Sequence, residues 1–511
     1  MTLTGRSIIG SRRAEAAEKT FQPVNPATGE SLSPEYHPVS AEERDAACEL
    51  AGRAFREYRR TTPAARAGFL RKIAEEIEAL GDTLTERFVA ESGLPAGRAE
   101  GERARTCGQL RLFASTIEKP DWNRPQVEQA QPDRKPLPKP DTRLRYIGVG
   151  PVAVFGPANF PLAFTVAGGD TASALAAGCP VVVKAHSSHA GVGELVGLAV
   201  QRAALATGMP DGVFSLLFGG GREIGGPLVK HPAIKAVGFT GSKGVGRSLF
   251  DLAAARPDPI PVFAEMSSIN PVLVLPGALS EKTESLAEGL YGSVTLGVGQ
   301  FCTNPGLVLL PPGDAADTFA RVLKEKMEVH PAQTMLNRGT RQSYGEGLSR
   351  VGSGRGVETL LAPSDGAGER GCEAGPALYR VSAEDFLDQP DLYEEVFGPT
   401  TLLVNCPDAG TMGRVVEAIG GQLTISFQAN EADIASHADL ISDLELFAGR
   451  LVCNGFPTGV EVCATMVHGG PYPATTDARF TSVGVRAIDR FLRPVCYQGF
   501  PRDPLPEELR D

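Results

Sequence analysis

Cys302 stands in the sequence GVGQFCTNPG (297–306), among glycines, a glutamine, an asparagine and a proline. A free cysteine is usually a small buried hydrophobe, and such a residue would normally lie in an apolar run. A thiolate in a turn-forming segment can instead act as a nucleophile. On its own, the stretch leaves both interpretations of Cys302 open.

Five consecutive predicted strands between residues 150 and 275 each end in a polar or glycine-rich segment. These strand ends carry Asn159 in VFGPANFP, Lys184 and Ser187 in VVVKAHSS, Arg222 in LLFGGGRE, Gly241 and Ser242 in GFTGSKGVG, and Glu265 in PVFAEMSS. Doubly wound sheets bind their ligands at the carboxyl ends of the strands. The pattern therefore predicts one crevice that holds a nucleotide and a set of catalytic groups.

The elements that would position these residues alternate between strand and helix. Short apolar strands such as PVAVFG, PVVVKA and IKAVGFTG are each followed by a helical segment, the first predicted over residues 160–178. This alternation predicts a parallel sheet covered on both faces, the doubly wound (Rossmann-like) α/β class. Residues 280–475 repeat the alternation less clearly and predict a second α/β domain.

Three further helices are predicted upstream of this region. One lies within residues 40–60, where Ser40 and Glu43 have the spacing of a capping box. A second begins at Thr62 and Pro63, a cap followed by a proline in the first turn. A third covers residues 97–118. The proline-rich segment 122–141 that follows is either a plain linker or an extended arm that reaches a neighbouring domain or subunit.

The segment GSKGVG (241–246) is the weakest of the nucleotide signals. No GxGxxG follows the first strand, so the usual dinucleotide fingerprint is absent. A glycine-rich strand-to-helix turn can place a pyrophosphate at a helix N-terminus. Glycines in such turns more often serve only packing, and the segment alone does not decide between the two.

Composition excludes several classes of protein. The chain has 511 residues, a formal net charge of −11, 42% hydrophobic and 22% charged residues. It lacks the basic face of a nucleic-acid or anionic-membrane binder. Its nine cysteines are spread singly, without CxxC or a zinc-type Cys/His cluster, so we expect no metal site and no disulfide framework. With no signal peptide or apolar run of membrane-spanning length in view, the expected location is the cytoplasm.

Six motifs, in order along nearly the whole chain, resemble those of the NAD(P)-dependent aldehyde dehydrogenase superfamily. They are FGPANFP with Asn159, VVVKAHSS with Lys184, FTGSKGVG with Gly241 and Ser242, FAEMSSINP with Glu265, GQFCTNPG with Cys302, and EEVFGP with Glu395. Any one motif is a modest signal, whereas six in order make a specific one.

The resemblance implies a role for each of these residues. Cys302 would attack an aldehyde as the thiolate, and its backbone N–H and the Asn159 amide would stabilise the oxyanion. After hydride leaves for the nicotinamide, Glu265 would act as the base for the water that hydrolyses the Cys302 thioester, with a pKa raised by an apolar setting. Glu395 would bind the nicotinamide ribose, and Lys184 the adenosine ribose.

The resemblance also implies a three-part architecture. The cofactor-binding domain would comprise residues 1–121 and 147–264, and the catalytic domain residues 265–475. Residues 122–146 and 476–511 would form a small β element for oligomerisation. Homodimers or homotetramers are usual in the superfamily, and the sequence does not choose between them.

Two departures from the common pattern bear on the cofactor and on one loop. Ser187 stands where many NAD-preferring members carry a glutamate that binds the adenosine ribose hydroxyls. Its absence removes repulsion against a 2′-phosphate, and Arg222 could supply the positive partner. We therefore expect NADP as cofactor, with NAD as the alternative. Ser267 and Ser268 replace glycines after Glu265, which indicates a subfamily with a different loop.

Several stretches, among them KAHSSH and AEMSSINP, resemble one subgroup in particular. That subgroup contains α-ketoglutarate semialdehyde dehydrogenases and NADP-linked long-chain aldehyde dehydrogenases. The implied reaction is the oxidation of 2,5-dioxopentanoate to 2-oxoglutarate, with a long-chain or broad-specificity activity as the alternative. Because that semialdehyde carries a carboxylate, an arginine is expected near the substrate mouth, and Arg111 is a candidate.

Three other hypotheses compete with hydrolytic aldehyde oxidation. A CoA-acylating dehydrogenase would resemble this chain but lack the base, so Glu265 argues against it. A Cys/His hydrolase or transferase needs a histidine beside Cys302, and none of the seven histidines lies in a suggestive motif. A catalytically silent structural member would not be expected to keep Asn159, Glu265 and Cys302 together.

Replacement of Cys302 by alanine should abolish NADPH formation from any aldehyde, because no thiolate remains to form the thiohemiacetal. Cofactor binding, followed by fluorescence titration with NADPH, should stay near normal. Turnover that survives in Cys302→Ala would contradict the assignment of the nucleophile.

Overall fold

The computed structural model describes residues 2–364 and 371–510. The first half of the chain builds a seven-stranded sheet in which the last five strands run parallel and a hairpin of two short strands lies antiparallel at one edge. Across the sheet the order is Arg12–Arg13, Ile8–Ile9, Phe214–Leu217, Val181–Lys184, Val152–Phe155, Ala236–Thr240 and Val262–Glu265. The chain order reverses beside Val152–Phe155, which makes its carboxyl end the switch point where doubly wound sheets bind ligands. The predicted fold class is confirmed.

Helices cover both faces of this sheet, and its parallel strands are buried along nearly their whole length. The α-helices are Ala41–Tyr58, Pro63–Glu78, Gly81–Ser92, Ala96–Ile117, Gly169–Ala176, Ala190–Ala206, Gly226–Lys230 and Lys243–Ala254. A 3₁₀ turn, Ser187–His189, and a π turn, Gly221–Gly225, follow two of the strands. Their apolar faces form two cores, one on each side of the sheet.

A second seven-stranded sheet follows, as the less regular alternation predicted. Six of its strands are parallel, and Glu358–Leu361 is antiparallel at one edge. In order, the strands are Glu358–Leu361, Ala377–Ser382, Thr400–Asn405, Leu307–Leu310, Val272–Val274, Gln422–Gln428 and Ala448–Cys453. Its α-helices are Pro276–Thr295, Asp314–Glu328, Arg338–Gly352, Ala383–Leu387, Ala409–Ile419, Glu431–Ser436 and Ala438–Asp443, with 3₁₀ turns at Leu296–Gly299, Pro390–Tyr393 and Leu444–Leu446.

A three-stranded antiparallel sheet joins the proline-rich segment to the C-terminal part of the chain. Its strands are Gln126–Glu128, Thr142–Gly148 and Leu492–Gln498, with 3₁₀ turns at Val485–Phe491 and Glu507–Leu509 nearby. At its root, the ring of Trp122 packs against the first core, with the Arg66 guanidinium 5.3 Å from the ring centroid. A separate pair of short strands is formed by Gln333–Thr334 and Glu373–Ala374. The oligomerisation role of the three-stranded sheet and the predicted domain boundaries stay predictions.

Local signals in the sequence located most of the helices. Ser40 accepts a hydrogen bond from the Glu43 N–H at 3.2 Å, and Thr62 caps the helix that starts at Pro63 in the same way. The helix predicted over residues 97–118 is Ala96–Ile117. The helix Gly81–Ser92 was not predicted. No helix in the described residues is long and apolar enough to cross a membrane.

The helix predicted over residues 160–178 is wrong in its first half, since only Gly169–Ala176 is α-helical. The buried Glu102 carboxylate accepts hydrogen bonds from the N–H groups of Leu162 and Ala163 at 3.0 and 3.2 Å. A side chain from another helix thus satisfies backbone donors at the start of this segment, which then stays as a turn beside Asn159.

The segment before Cys302 has an unusual backbone. Gly297, Val298 and Gly299 have φ angles of 56°, 59° and 63°, all in the left-handed region. A valine there is strained because its branched side chain crowds the backbone. A Cβ added at Gly299 would lie 2.3 Å from the carbonyl carbon of Gly398. The glycines therefore let the chain turn tightly against a neighbouring backbone and deliver Cys302 to its place.

We expect Gly299→Ala to displace this turn, because both the φ angle and the contact with Gly398 exclude a methyl group. The free energy of unfolding should fall by about 1–3 kcal/mol. NADPH formation should fall about 100-fold, because Cys302 would be misplaced. The midpoint of thermal unfolding and the steady-state rate measure the two effects.

Gly292→Ala is the matched control, since a Cβ at this helical position meets nothing within 4 Å. It should unfold at the wild-type temperature or slightly above. Equal behaviour of the two variants would show that the turn before Cys302 tolerates a side chain.

Candidate active site

One cavity of about 1140 Å³ opens at the carboxyl ends of the first sheet's strands and reaches Cys302. Nine of the ten residues that the sequence suggested for the site line it: Asn159, Lys184, Ser187, Arg222, Gly241, Ser242, Glu265, Cys302 and Glu395. The chain therefore brings the predicted residues together, while the role of each one stays a prediction.

The Cys302 loop and the Asn159 loop are fastened to each other. Asn159 donates from Nδ2 to the carbonyl of Gln300 at 3.0 Å, and Asn270 donates from Nδ2 to the carbonyl of Cys302 at 2.9 Å. In the described part of the chain, the N–H of Cys302 has no acceptor within hydrogen-bonding distance. This N–H, and the second N–H of the Asn159 amide, therefore have no acceptor among the described residues.

Arg98 fixes the same two loops from the helix Ala96–Ile117. Its guanidinium lies 4.5 Å from the ring centroid of Phe160 and 4.7 Å from that of Phe301, and it donates to the Asn159 carbonyl at 3.0 Å. Glu102, one turn along the helix, holds the guanidinium at 2.8 Å. Cation–π contacts of this kind stabilise partly buried cations. No local motif predicted these contacts of Arg98.

Glu265 lies at the end of its strand with only 3% of its surface exposed. Its Oε1 lies 2.9 Å from His468 Nε2, and its Oε2 accepts a hydrogen bond from the Ser482 hydroxyl at 2.6 Å. Burial alone would raise the pKa of the carboxyl, but His468, Ser482 and the Cys302 thiol together hold it below its usual value. The expectation that an apolar setting raises the pKa of Glu265 is therefore wrong in direction.

His468 is a residue of this site that sequence reasoning missed. Its imidazole is buried, and Nε2 lies 3.3 Å from the Sγ of Cys302 as well as 2.9 Å from Glu265. None of the seven histidines was singled out from its motif, yet this one stands beside Cys302. The segment MVHGGP around it shows only a turn, and 166 residues separate it from Cys302. No local signal could have placed it here.

The thiol of the half-buried Cys302 lies among charges of both signs. Burial and the negative charge of Glu265 raise its pKa well above the usual value, while Arg105 acts in the opposite direction. One ligand-type atom each from Glu265, Cys302 and His468 lie within 4.8 Å of one another. The sequence predicted no metal site, because these residues lie far apart along the chain.

Two half-buried arginines interact electrostatically with this thiol and form no salt bridge among the described residues. Arg105 donates to the Val460 carbonyl and lies 5.8 Å from the ring centroid of Phe164, and its Nε has no hydrogen-bond partner there. Arg450 donates to the Gly459 carbonyl at 2.8 Å. Burial lowers the pKa of both guanidinium groups, and the charge of Cys302 opposes this.

Arg111, the arginine suggested for the substrate mouth, does not lie there. Both of its terminal nitrogens bind the carboxylate of Glu78 on the protein surface, at 2.6 and 2.7 Å. Arg105 lies almost two turns earlier on the same helix and faces inward instead. The helix is confirmed, but the prediction that Arg111 lies at the substrate mouth is wrong, because Arg111 is on the exposed face of that helix.

The serines that follow Glu265 have structural partners. Ser267 donates to the Glu395 carboxylate at 2.7 Å, and burial raises the pKa of that carboxyl to about 7. Ser268 accepts from the Leu423 N–H at 2.9 Å, and its own hydroxyl lies 2.8 Å from Asn270 Oδ1. The unusual AEMSSIN segment thus connects Glu395 with the amide that holds the Cys302 carbonyl.

The far end of the cavity is cationic. Lys184, Arg222 and Lys230 line it together with Ser187, and the acidic side chains in the described lining, Glu265 and Glu395, belong to the Cys302 end. Burial lowers the pKa of Lys184. The helix Lys243–Ala254 begins at Ser242 without a side-chain cap, so its first N–H groups are open to a phosphate.

Comparison with known proteins agrees with this geometry. Residues 13–343 match the aldehyde dehydrogenase family. The chain is 52% identical over 512 residues to alpha-ketoglutaric semialdehyde dehydrogenase 2 of Azospirillum brasilense, covering 100% of this chain and 97% of that protein. It is 45% identical over 508 residues to alpha-ketoglutaric semialdehyde dehydrogenase of Acinetobacter baylyi, covering 99% and 96%.

Solved structures share the fold at lower identity. A 3,6-anhydro-L-galactose dehydrogenase has a TM-score of 0.81 at 22% identity and covers 96% of this chain and 99% of its own. A lactaldehyde dehydrogenase gives 0.82 at 22% identity, with 96% and 98% covered. Sequence motifs, fold and relatives lead to one conclusion: the chain belongs to the aldehyde dehydrogenase family.

Proposed function

We propose that this protein oxidises 2,5-dioxopentanoate to 2-oxoglutarate with NADP as the oxidant. The observation that carries the proposal is the meeting of Cys302, Asn159 and Glu265 in one cavity whose other end is cationic. The two relatives with the highest identities given above are named for the same semialdehyde chemistry.

In the first half of the reaction, the Cys302 thiolate attacks the aldehyde carbon and forms a C–S bond. The Asn159 Nδ2 amide and the N–H of Cys302 donate hydrogen bonds to the oxyanion that develops. The nicotinamide, when bound, supplies the hydride acceptor. Loss of hydride from the carbon leaves a thioester on Cys302, and the C=O bond re-forms with the electron pair of the oxyanion.

In the second half, Glu265 takes a proton from the water that attacks the thioester. Its lowered pKa keeps the carboxylate ionised at neutral pH, so it is ready to accept that proton. The C–S bond then breaks and the Cys302 thiolate is released together with the carboxylic acid. Glu265 argues against transfer of the acyl group to CoA, because a base for water would then have no use.

The residues that line the cavity fit a dinucleotide with a 2′-phosphate. A carboxylate at the adenosine ribose would repel that phosphate, and Ser187 stands in that place. Arg222 and Lys230 offer positive charge at the same end. The uncapped helix start at Ser242 suits the pyrophosphate, and Glu395 suits the nicotinamide ribose hydroxyls.

Arg105 and Arg450 support a substrate that carries a carboxylate. In 2,5-dioxopentanoate the carboxylate carbon lies about 5 Å from the aldehyde carbon, four extended C–C bonds away. The cation that binds it must therefore lie close to Cys302, as both arginines do. A long aliphatic aldehyde would offer neither of these half-buried guanidinium groups a carboxylate to bind.

Replacement of Arg105 by methionine should lower kcat/KM for 2,5-dioxopentanoate about 10- to 100-fold, since a hydrogen bond to a charged group is worth about 1.5–3 kcal/mol. With pentanal, a neutral aldehyde of the same chain length, kcat/KM should stay within about threefold. Initial rates of NADPH formation measure both.

Arg111→Met is the matched control on the same helix and should behave as the wild type with both aldehydes. A wild-type enzyme that prefers pentanal or a longer aliphatic aldehyde would contradict the proposed substrate. Equal losses with both aldehydes in Arg105→Met would contradict only the carboxylate-binding role of Arg105, and not the proposed substrate.

Replacement of Arg222 by alanine should raise the KM for NADP about tenfold and change the KM for NAD less than twofold, because only NADP carries the 2′-phosphate. Arg247→Ala serves as the control, since this exposed arginine pairs with Asp251 one helical turn away. A parallel rise in both KM values would reject the assignment of Arg222 to the phosphate.

Oligomerisation and location follow the same family argument. The three-stranded sheet offers two open strand edges, at Gln126–Glu128 and Leu492–Gln498, through which a homodimer or homotetramer would form. All nine cysteines are free, as expected for a protein of the reducing cytoplasm.

A further inference from the structure

His468 presents a single nitrogen to two groups that both need it. Nε2 lies 3.3 Å from the nucleophilic sulfur and 2.9 Å from the Glu265 carboxylate. A ring nitrogen carries either one proton or one lone pair, so Nε2 can accept the thiol proton or donate to the carboxylate, but not both at once. The arrangement differs from a hydrolase triad, in which the two ring nitrogens face different partners.

Two backbone hydrogen bonds and one aromatic contact fix the position of His468. The His468 N–H donates to Thr481 Oγ1 at 2.8 Å, and its carbonyl accepts from the Ser482 N–H at 2.8 Å. The Phe164 ring lies 6.3 Å away, centroid to centroid. Because Ser482 also binds Glu265, one short segment positions both the imidazole and the carboxylate.

Ionisation of the Cys302 thiol is unfavourable in this site. Burial and the charge of Glu265 both oppose ionisation of Cys302. Glu265 could take the thiol proton itself, but it would then be protonated when the thioester needs a base. A third group that takes the proton and becomes positive would stabilise both anions at once.

We propose that His468 is a catalytic residue that carries the Cys302 proton: its Nε2 accepts the thiol proton and stays between the thiolate and the Glu265 carboxylate as the imidazolium. The S–H bond breaks, its electron pair stays on sulfur, and an N–H bond forms at Nε2. Glu265 remains ionised for the attacking water. When the thiolate leaves the tetrahedral centre in the second half of the reaction, the imidazolium returns the proton to sulfur.

This inference rests on the proposed function for its place in the reaction cycle, but not for the proton transfer itself. The charged groups that face the pair are known. Glu265 and Glu395 place negative charge near the thiol, whereas Arg105 and Arg450 place positive charge near it. Asp170, itself paired with Arg490, acts on Glu265. Both arginines favour the thiolate, but neither can take up its proton at neutral pH.

The test is the pH dependence of Cys302 alkylation by iodoacetamide in the full-length protein, read by mass spectrometry of the peptide that contains Cys302. In His468→Gln, the rate at pH 7 should fall about 100-fold, the size of a general-base contribution. The inflexion should move to higher pH, and near pH 10 the rate should return to within about threefold of wild type. This recovery distinguishes loss of a proton acceptor from misfolding, which would lower the rate at every pH.

Two variants complete the comparison. Glu265→Gln should keep fast alkylation at pH 7, because a charge that opposes the thiolate is removed, yet it should stop turnover after one burst of NADPH. His330→Gln, which alters a histidine bonded to Tyr291 far from the cavity, should match the wild type in both assays. The burst of NADPH in His468→Gln should itself become slower at pH 7 and recover at high pH.

A wild-type alkylation profile in His468→Gln would overturn the proposal, and so would a rate that stays low even at pH 10. Failure of the proposed function has a different signature. In that case the wild-type protein would form no NADPH from 2,5-dioxopentanoate, while the alkylation assay would still report on His468 and Cys302.

Discussion

The buried carboxylate of Glu265 is the constraint on which the site depends. A negative charge with so little access to water is stable only when donors surround it. Ser482 donates to it and His468 Nε2 lies 2.9 Å from it, both in a segment more than 200 residues later in the chain. The strand Val262–Glu265, the turn at His468 and the Cys302 loop must therefore all be in place before the charge is satisfied. The partners that stabilise the fold here are also those that set the chemistry of the thiol.

The rest of the fold places elements of two sheets around that charge. The first sheet supplies Asn159 and Glu265 at its carboxyl edge, and the second supports the loop of Cys302. Arg98 and Asn270 join the loops by contacts to backbone carbonyls, which do not depend on which substrate is bound. The left-handed turn at Gly297–Gly299 then sets the direction of Cys302. Rigid positioning of this kind allows a nucleophile and its oxyanion donors to act without rearrangement.

Sequence reasoning found what local patterns encode. Strand ends with polar residues predicted the cavity lining from Asn159 to Glu265, because parallel strands end at a common edge, and the resemblance of motifs added Cys302 and Glu395. It failed where a residue acts across a long sequence separation. His468 and Arg450 lie in stretches with no chemical signature, and only tertiary packing brings them to Cys302. Arg105 was missed because helical periodicity does not tell which polar face meets a cavity. The pKa of Glu265 was misjudged because its donors were unknown.

The contact of Trp122 with Arg66 has a practical consequence for spectroscopy. Trp122 is the protein's sole tryptophan and sits at the root of the three-stranded sheet, against the helix Pro63–Glu78. Its emission therefore reports on the docking of that sheet against the first core. A refolding trace recorded by fluorescence would follow one corner of the molecule.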